Sequence, residues 1–327
     1  MEAAALLRAN LLSPVVLAFA LGMVAKLVKS EFSLPKDVYL GISIFLLWAI
    51  GLQGGIELHH ASLHTIAWPA VATLALGCLT PVSAYLVLRR AGRFSAVDSA
   101  AIAAHYGSVS AVTFIAATSF VKSQGYEAEG FMPTLLALLE SPGIHIALAI
   151  GAVQAGSAGR PLKEVLHEVL TGRTMVLLVG GLLVGFLMGS QQWETIGPFY
   201  DTRGPIFRGL LCLFMLELGV LAAGRLGDLR KVGGFLLGFG IVMPVIHGTA
   251  GVWVGQLAGL SLGGATVLGV MAASASYIAA PPAVRLTLPD ANPTYYLTAA
   301  LVITFPFNLL VGIPLYFQIA RWLEGHP

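Results

Sequence analysis

Gly107-Ser108-Val109-Ser110 and Ser274-Ala275-Ser276-Tyr277-Ile278-Ala279-Ala280-Pro281-Pro282 interrupt two otherwise apolar stretches at corresponding places in the two halves of this chain. A pair of polar, Gly/Pro-interrupted segments in duplicated hydrophobic sequence is the signature of a site built from broken membrane helices. In lipid, unwound backbone is tolerated only where it lines a cavity or is buried in protein.

The surrounding sequence supports that setting. Hydrophobic residues make up 57% of the 327-residue chain and charged ones only 10%, with a mean hydropathy of +0.84, too few charges to clothe a soluble globule of this length. The chain reads as an all-α integral membrane protein. Its net charge of +2 is scattered between apolar runs, which excludes a nucleic-acid-binding patch. Cys78 and Cys212 both fall inside apolar runs and are expected as free thiols packed as small hydrophobes. Residues 6–25 have the outline of a signal peptide, but they have a partner in the second half, which assigns them to the membrane domain.

Ten apolar runs are long enough to cross about 30 Å of hydrocarbon as helices. They lie near 11–29, 37–57, 65–89, 97–121, 130–156, 174–190, 204–224, 232–258, 262–286 and 294–320. The halves align throughout. Ser13-Pro14-Val15-Val16-Leu17 matches Arg173-Thr174-Met175-Val176-Leu177, and Leu52-Gln53-Gly54-Gly55-Ile56 matches Leu216-Glu217-Leu218-Gly219-Val220. Gly107-Ser108-Val109-Ser110 falls on Ala273-Ser274-Ala275-Ser276, and Glu140-Ser141-Pro142-Gly143 on Thr304-Phe305-Pro306-Phe307. The unit is five helices, over 1–157 and 174–327 with a connection at 158–173. An odd number of spans makes the second copy enter from the other side, so the predicted fold is a 5+5 inverted repeat with helices 4 and 9 broken.

Charge placement orients it. The connections after odd-numbered helices carry Lys26, Lys29, Lys36, Arg89, Arg90, Arg93, Arg160, Lys163, Arg173, Arg225, Arg230, Lys231 and Arg285, against Arg8, Lys122, Arg203, Arg208 and Arg321 on the other side. The positive-inside rule makes the first group cytoplasmic and puts both termini outside. Arg160 to Glu168 then forms a cytoplasmic amphipathic surface helix.

The two breaks carry the candidate site. Gly107, Ser108, Ser110 and Thr113 cluster in helix 4, and Ser274 and Ser276 precede the double proline in helix 9. Where such helices cross, half-helix N-termini present free N–H groups and partial positive charge, which suits a small anion held by amides and serine hydroxyls. Taken singly, small residues in membrane helices are more often packing positions, and serine often bonds back to its own helix. Symmetry and the double proline tip the balance toward a site.

Acids at membrane depth are functional candidates by default. Glu140, ahead of Ser141-Pro142-Gly143, and Glu217 in helix 7 are the candidates for a coupling cation or proton, while Glu57, followed by His59 and His60, reaches an interface. His105, His145 and His247 read as hydrogen-bonded core histidines. Asp201 to Arg208, Asp290 and Asn292-Pro293 read as loops. His167-Glu168 lacks the second histidine of a metalloprotease helix, and no phosphate-cradling glycine loop occurs, so neither an enzyme nor ATP coupling is expected.

These residues also resemble the sodium-dependent bicarbonate permeases first recognised in cyanobacteria. The similarity runs in order through Gly51-Leu52-Gln53-Gly54-Gly55, Gly107-Ser108-Val109-Ser110, Phe199-Tyr200-Asp201, Phe207-Arg208-Gly209-Leu210-Leu211 and Leu229-Arg230-Lys231-Val232. It continues through Ala272-Ala273-Ser274-Ala275-Ser276, Pro281-Pro282 and Pro289-Asp290-Ala291-Asn292-Pro293. The resemblance implies a gate domain and a core domain, a homotrimer in the bacterial inner membrane, and uptake of bicarbonate with sodium between the broken helices. Carried over, the anion ligands are Ser108, Ser110, Ser274 and Ser276 with nearby amides, and Glu140 is the family acid near the kink of helix 5. No cofactor is implied beyond sodium as coupling ion. Two departures stand out. Where the cyanobacterial pattern runs Ser-Ser-Ser-Asp, this chain has Ser274-Ala275-Ser276-Tyr277, which sets Tyr277 in the place of an acid of the coupling site. The connection between the halves is also far shorter, which argues against a PII-like regulatory partner. The residues themselves leave open a proton-coupled carrier, a passive anion channel and a membrane sensor that binds without transport.

Overall fold

The computed structural model describes residues 2–154, 167 and 170–325; the surface helix expected over 160–168 thus falls almost wholly outside the described residues. Helices α1 (Glu2–Leu11) and α2 (Pro14–Leu27) meet at a 62° bend, where Pro14 opens α2 and the Ser13 hydroxyl caps it at the Val16 amide. There follow α3 (Lys36–His60), α4 (Leu63–Arg90), α5 (Ala96–Tyr106), α6 (Ala111–Ser123), α7 (Met132–Glu140) and α8 (Pro142–Gln154). The second half holds α9 (Arg173–Tyr200), α10 (Pro205–Gly224), α11 (Leu229–Leu257), α12 (Leu262–Ala273) and α13 (Ala280–Thr287), and closes with α14 (Pro293–Leu323). Two π-helical stretches, Thr298–Thr304 and Asn308–Gly312, interrupt α14 on either side of Phe305–Phe307. No strand occurs among the described residues.

Seven helical stretches are long and apolar enough to cross a membrane, or eight with the bent N-terminal pair. This is fewer than the ten expected because α10 and α11 run on as one stretch of 53 residues, and because the short α12 stands apart from α13. At 1.5 Å per residue, 53 residues reach about 80 Å, far more than one crossing needs. Large apolar side chains lie open on the outer faces, Leu63, Leu79, Leu187 and Trp322 among them, as expected of surfaces covered by lipid. The chain is a multi-pass membrane protein. Cys78 is exposed on the outside of α4 rather than packed, and Cys212 is half-buried; both are free. The run expected to end near 190 continues to Tyr200 through a sharp break at Gly189, whose φ of 64° favours glycine.

The most extensive helix pairings join the two halves. In α2 and α10, Gly22 lies against Leu216 and Gly219; in α3 and α9, Gly51 meets Gly181 and Gly55 meets Gly185. A Cβ on Gly22 would overlap the Leu216 carbonyl and one on Gly55 the Leu182 carbonyl, so only glycine lets these backbones approach. Residue numbers rise together along both seams, so each pair is parallel. By contrast α11 and α12 form an antiparallel hairpin, with Gly251 against Gly269 and Gly255 against Ala265.

Two hydrophobic clusters result. One unites α2, α3, α6, α7, α10 and α12, and the other gathers α4, α5, α8, α11 and α13; Tyr277 packs against both.

Candidate functional site

The first break, residues 107–110, lies between α5 and α6; the second, 274–279, lies between α12 and α13. They cross in direct contact. The Ser110 amide donates to Ser274 Oγ at 2.9 Å, and the Ser276 amide donates to the His105 carbonyl at 2.8 Å. Tyr277 Oη accepts from Ser110 Oγ at 3.5 Å, and the Tyr277 ring packs edge-on against Phe305. Carbonyls and amides freed by unwinding are thus partly satisfied by the opposite break, as burial demands.

The breaks are supported differently. Gly107 packs backbone to backbone against Gly143, just past the α7–α8 kink at Ser141, and also against Pro81. At the second break, Asn308 Nδ2 donates to the Ala273 carbonyl at 2.7 Å and Asn308 Oδ1 accepts from Tyr316 Oη at 3.2 Å.

The half-helix N-termini also differ, and this corrects the expectation of free amides on both. In α13 the first turn holds Pro281 and Pro282, which have no N–H, and the Ala279 and Ala280 amides donate to Ser276 Oγ at 3.2 and 3.4 Å. That terminus has almost no donor left. In α6 the Ser110 hydroxyl caps the Thr113 amide at 3.3 Å, while the Ala111 and Val112 amides make no hydrogen bond among the described residues. The partial positive charge therefore faces outward from the first break alone.

A small cavity of about 30 Å³ lies beside the crossing, room for about one or two waters. It is lined by Ala111 and Val112 at the α6 N-terminus, and by Ser110, Ser276, Tyr277 and Glu140. Glu140 is 1% exposed and its Oε2 has no hydrogen-bond partner. Thr304, set against Glu140 in the sequence alignment of the halves, is fully satisfied: Oγ1 pairs with Tyr106 Oη at 2.6 Å and donates to the Gly240 carbonyl at 2.7 Å. Of the remaining residues singled out from sequence, Gly107, Ser108, Thr113 and Ser274 are buried in the crossing but do not line the cavity, and Ser108 Oγ has no partner. Glu217 lies elsewhere, its Oε2 accepting from the Leu34 amide at 2.8 Å and so tying down the loop between α2 and α3. Ser43 and Thr174 also line the cavity and escape a reading centred on the breaks. Ser43 is nonetheless the lone Ser or Thr in the apolar stretch 38–50, and Thr174 sits in a segment that aligns between the halves in sequence.

The histidines take hydrogen bonds as core residues do. His105 Nδ1 pairs with the Ala101 carbonyl at 2.7 Å and its ring stacks on Tyr296, His145 Nδ1 pairs with the Ser141 carbonyl at 2.7 Å, and His247 Nε2 pairs with Ser83 Oγ at 2.8 Å.

Most of the cavity lining is apolar; its polar side chains, Ser43, Ser110, Glu140, Thr174, Ser276 and Tyr277, offer only oxygen, a set that suits a hard cation, and the α6 amides beside them suit an anion. The sequence profile of the Na+-dependent bicarbonate transporter superfamily matches residues 14–321, which is nearly the whole chain. No curated protein matches it.

The chain belongs to the Na+-dependent bicarbonate transporter superfamily.

Proposed function

We propose that this member of the superfamily imports bicarbonate, or a similar small inorganic anion, through the crossing of the two broken helices, with sodium as the coupling ion. The observation that carries the reading is the juxtaposition, around one small buried cavity, of two unspent amides at the α6 N-terminus and a carboxylate oxygen without a partner. An anion beside ionised Glu140 meets like charge in a medium of low dielectric. A sodium ion between them removes that repulsion, so each ion favours the other's binding, which is the thermodynamic requirement for coupling. The Ser110, Ser276 and Ser43 hydroxyls, with the Glu140 carboxylate, are the oxygen ligands we assign to sodium, and the Ala111 and Val112 amides the anion donors. Tyr277, in the place of the family acid, orients Ser110 and supplies no charge.

The cavity is too small for both ions together, so binding requires the breaks to separate. We infer alternating access, in which the core carrying α5, α6, α12 and α13 moves against a scaffold built on the α2–α10 and α3–α9 seams. Ten spans as two inverted five-helix repeats fit this reading, with α10 and α11 as separate crossings and α12 and α13 as one broken span. The two seams support the repeat: a two-fold that exchanges the halves maps α2 onto α9 and α10 onto α3, and so maps one seam onto the other. In this arrangement the protein is an inner-membrane homotrimer with both termini outside.

The test is uptake of labelled bicarbonate into proteoliposomes under sodium and pH gradients imposed separately. Uphill accumulation driven by sodium is the expected result. Accumulation driven only by a proton gradient transfers the Glu140 role to a proton, flux that only runs downhill makes the protein a channel, and binding without flux makes it a sensor.

A further inference from the structure

A second, far larger cavity of about 510 Å³ opens between the bent N-terminal helices, α3, α6 and the start of α10. Its rim includes Lys122, Arg203 and Arg208, but also Glu57, Glu127 and Glu129, so it carries three cations against three carboxylates and no net field to select an anion. Glu57 and Arg203 approach only to 3.9 Å, both well exposed. Selection must then lie deeper.

Two helices run from this vestibule to the crossing, and both are lined in the same order. On α3, Ser43, Leu46 and Leu47 line the small cavity, and Gln53 and Glu57 line the vestibule; Ile50, between them, lines both. On α6, Ala111 and Val112 line the small cavity, and Phe114, Thr118 and Ser119 line the vestibule; Ile115 lines both. They are the only residues common to the two linings among the described residues, and they are 1% and 4% exposed. One isoleucine comes from each side of the path. Hydrated ions do not cross an apolar constriction that excludes water, and such constrictions gate by wetting and drying.

We propose that Ile50 and Ile115 form an apolar outer gate, closed in this structure, that seals the vestibule from the crossing. Its role in transport rests on the reading of the crossing as the substrate site, but its existence as a barrier does not. When the core moves, Ile115 travels with α6 while Ile50 stays with the α3–α9 seam, so separation of the breaks and opening of the gate are one event.

The experiment is labelling with a membrane-impermeant thiol reagent in a Cys78→Ser, Cys212→Ser background. Ser119→Cys reports the vestibule and Ser43→Cys the space behind the gate. Intact cells and inverted membrane vesicles are both treated, and the preparation that labels Ser119→Cys defines the vestibule side. On that side Ser43→Cys is expected to stay protected, and to become fully labelled once Ile50→Ala or Ile115→Ala is added, with Ser119→Cys labelling unchanged. Because shortening a buried isoleucine can unfold the chain, Ile115→Val is carried alongside as the mildest opening, with partial labelling expected. Equal labelling of Ser43→Cys with and without the substitutions, or protection that persists in folded Ile50→Ala, Ile115→Ala protein, overturns the gate. Bicarbonate uptake is measured on the Cys78→Ser, Cys212→Ser protein that keeps Ser43. Labelling as expected with no uptake by that protein keeps the barrier and removes the substrate reading; uptake by it with Ser43→Cys always open to label does the reverse.

Discussion

The two breaks cross in direct contact, yet they are finished differently. At the second, the exposed backbone is bound by Asn308, the α13 terminus is silenced by Pro281, Pro282 and the Ser276 hydroxyl, and Thr304 makes two hydrogen bonds. At the first, two amides of α6, the Ser108 hydroxyl and one oxygen of Glu140 have nothing to bind. Buried polar groups are nearly always paired, because leaving one unpaired costs about 1–3 kcal/mol. On the function proposed above, the partners these groups lack are the transported ions, so the second break would hold still while the first binds.

The strongest way to break that contrast is to fill the cavity from the second side. Ser276→Leu is expected to abolish bicarbonate uptake while the protein still extracts and elutes as wild type; persistent uptake would place the site elsewhere. Next come Glu140 and Thr304. Glu140→Gln is expected to remove the sodium dependence of uptake with thermal stability retained or raised, since an unpaired buried carboxylate is costly. Thr304→Val is expected to leave ion dependence intact but to cost about 1–3 kcal/mol of stability, read by thermal unfolding in detergent, because the Tyr106 hydroxyl and the Gly240 carbonyl lose their partner. If the two variants exchanged these phenotypes, the assignment of binding to the first break would fall.

Hydroxyl and amide substitutions sharpen the contrast further. Asn308→Ala is expected to destabilise by about 1–3 kcal/mol, through loss of its bond to the Ala273 carbonyl. Ser108→Ala is expected to stay within about 0.5 kcal/mol of wild type, as its hydroxyl has no bond to lose. A fall in bicarbonate affinity without a change in stability would show that Ser108 finds its partner in the bound state. Glu217→Gln should have the smallest effect, since a Gln carbonyl can still accept from the Leu34 amide, and ion dependence measured by uptake should be unchanged.

Much of this was legible in the sequence because the signals are local. Gly107 and the Pro281-Pro282 pair mark unwinding through backbone geometry alone, and hydropathy marks the membrane stretches. Glu140 stood out because an acid is rare at that depth. What sequence could not supply was pairing. Nothing in the chain near Thr304 announces that Tyr106 and Gly240 will satisfy it, nor near Glu217 that the Leu34 amide will. The expectation of donors on both half-helices failed for a related reason: the two N–H groups that Pro281 and Pro282 lack are plain in the sequence, but the reach of the Ser276 hydroxyl to the Ala279 and Ala280 amides is not. The vestibule joins Asn10, Gln53, Lys122 and Arg208, residues too far apart in sequence to suggest one surface.

The glycine seams have a consequence for how the chain is made. Gly22 packs on Gly219, and Gly51 and Gly55 on Gly181 and Gly185, so every one of these contacts joins the first half to the second. At ribosomal speeds of about 5–20 residues per second, the α3 glycines wait on the order of ten seconds for their partners to be synthesised. During that interval the first half sits in the bilayer with its closest-packing surfaces facing lipid. Membrane insertion and final assembly are therefore separated in time, and a nascent chain halted before α9 would be inserted yet unassembled, open to quality-control proteases.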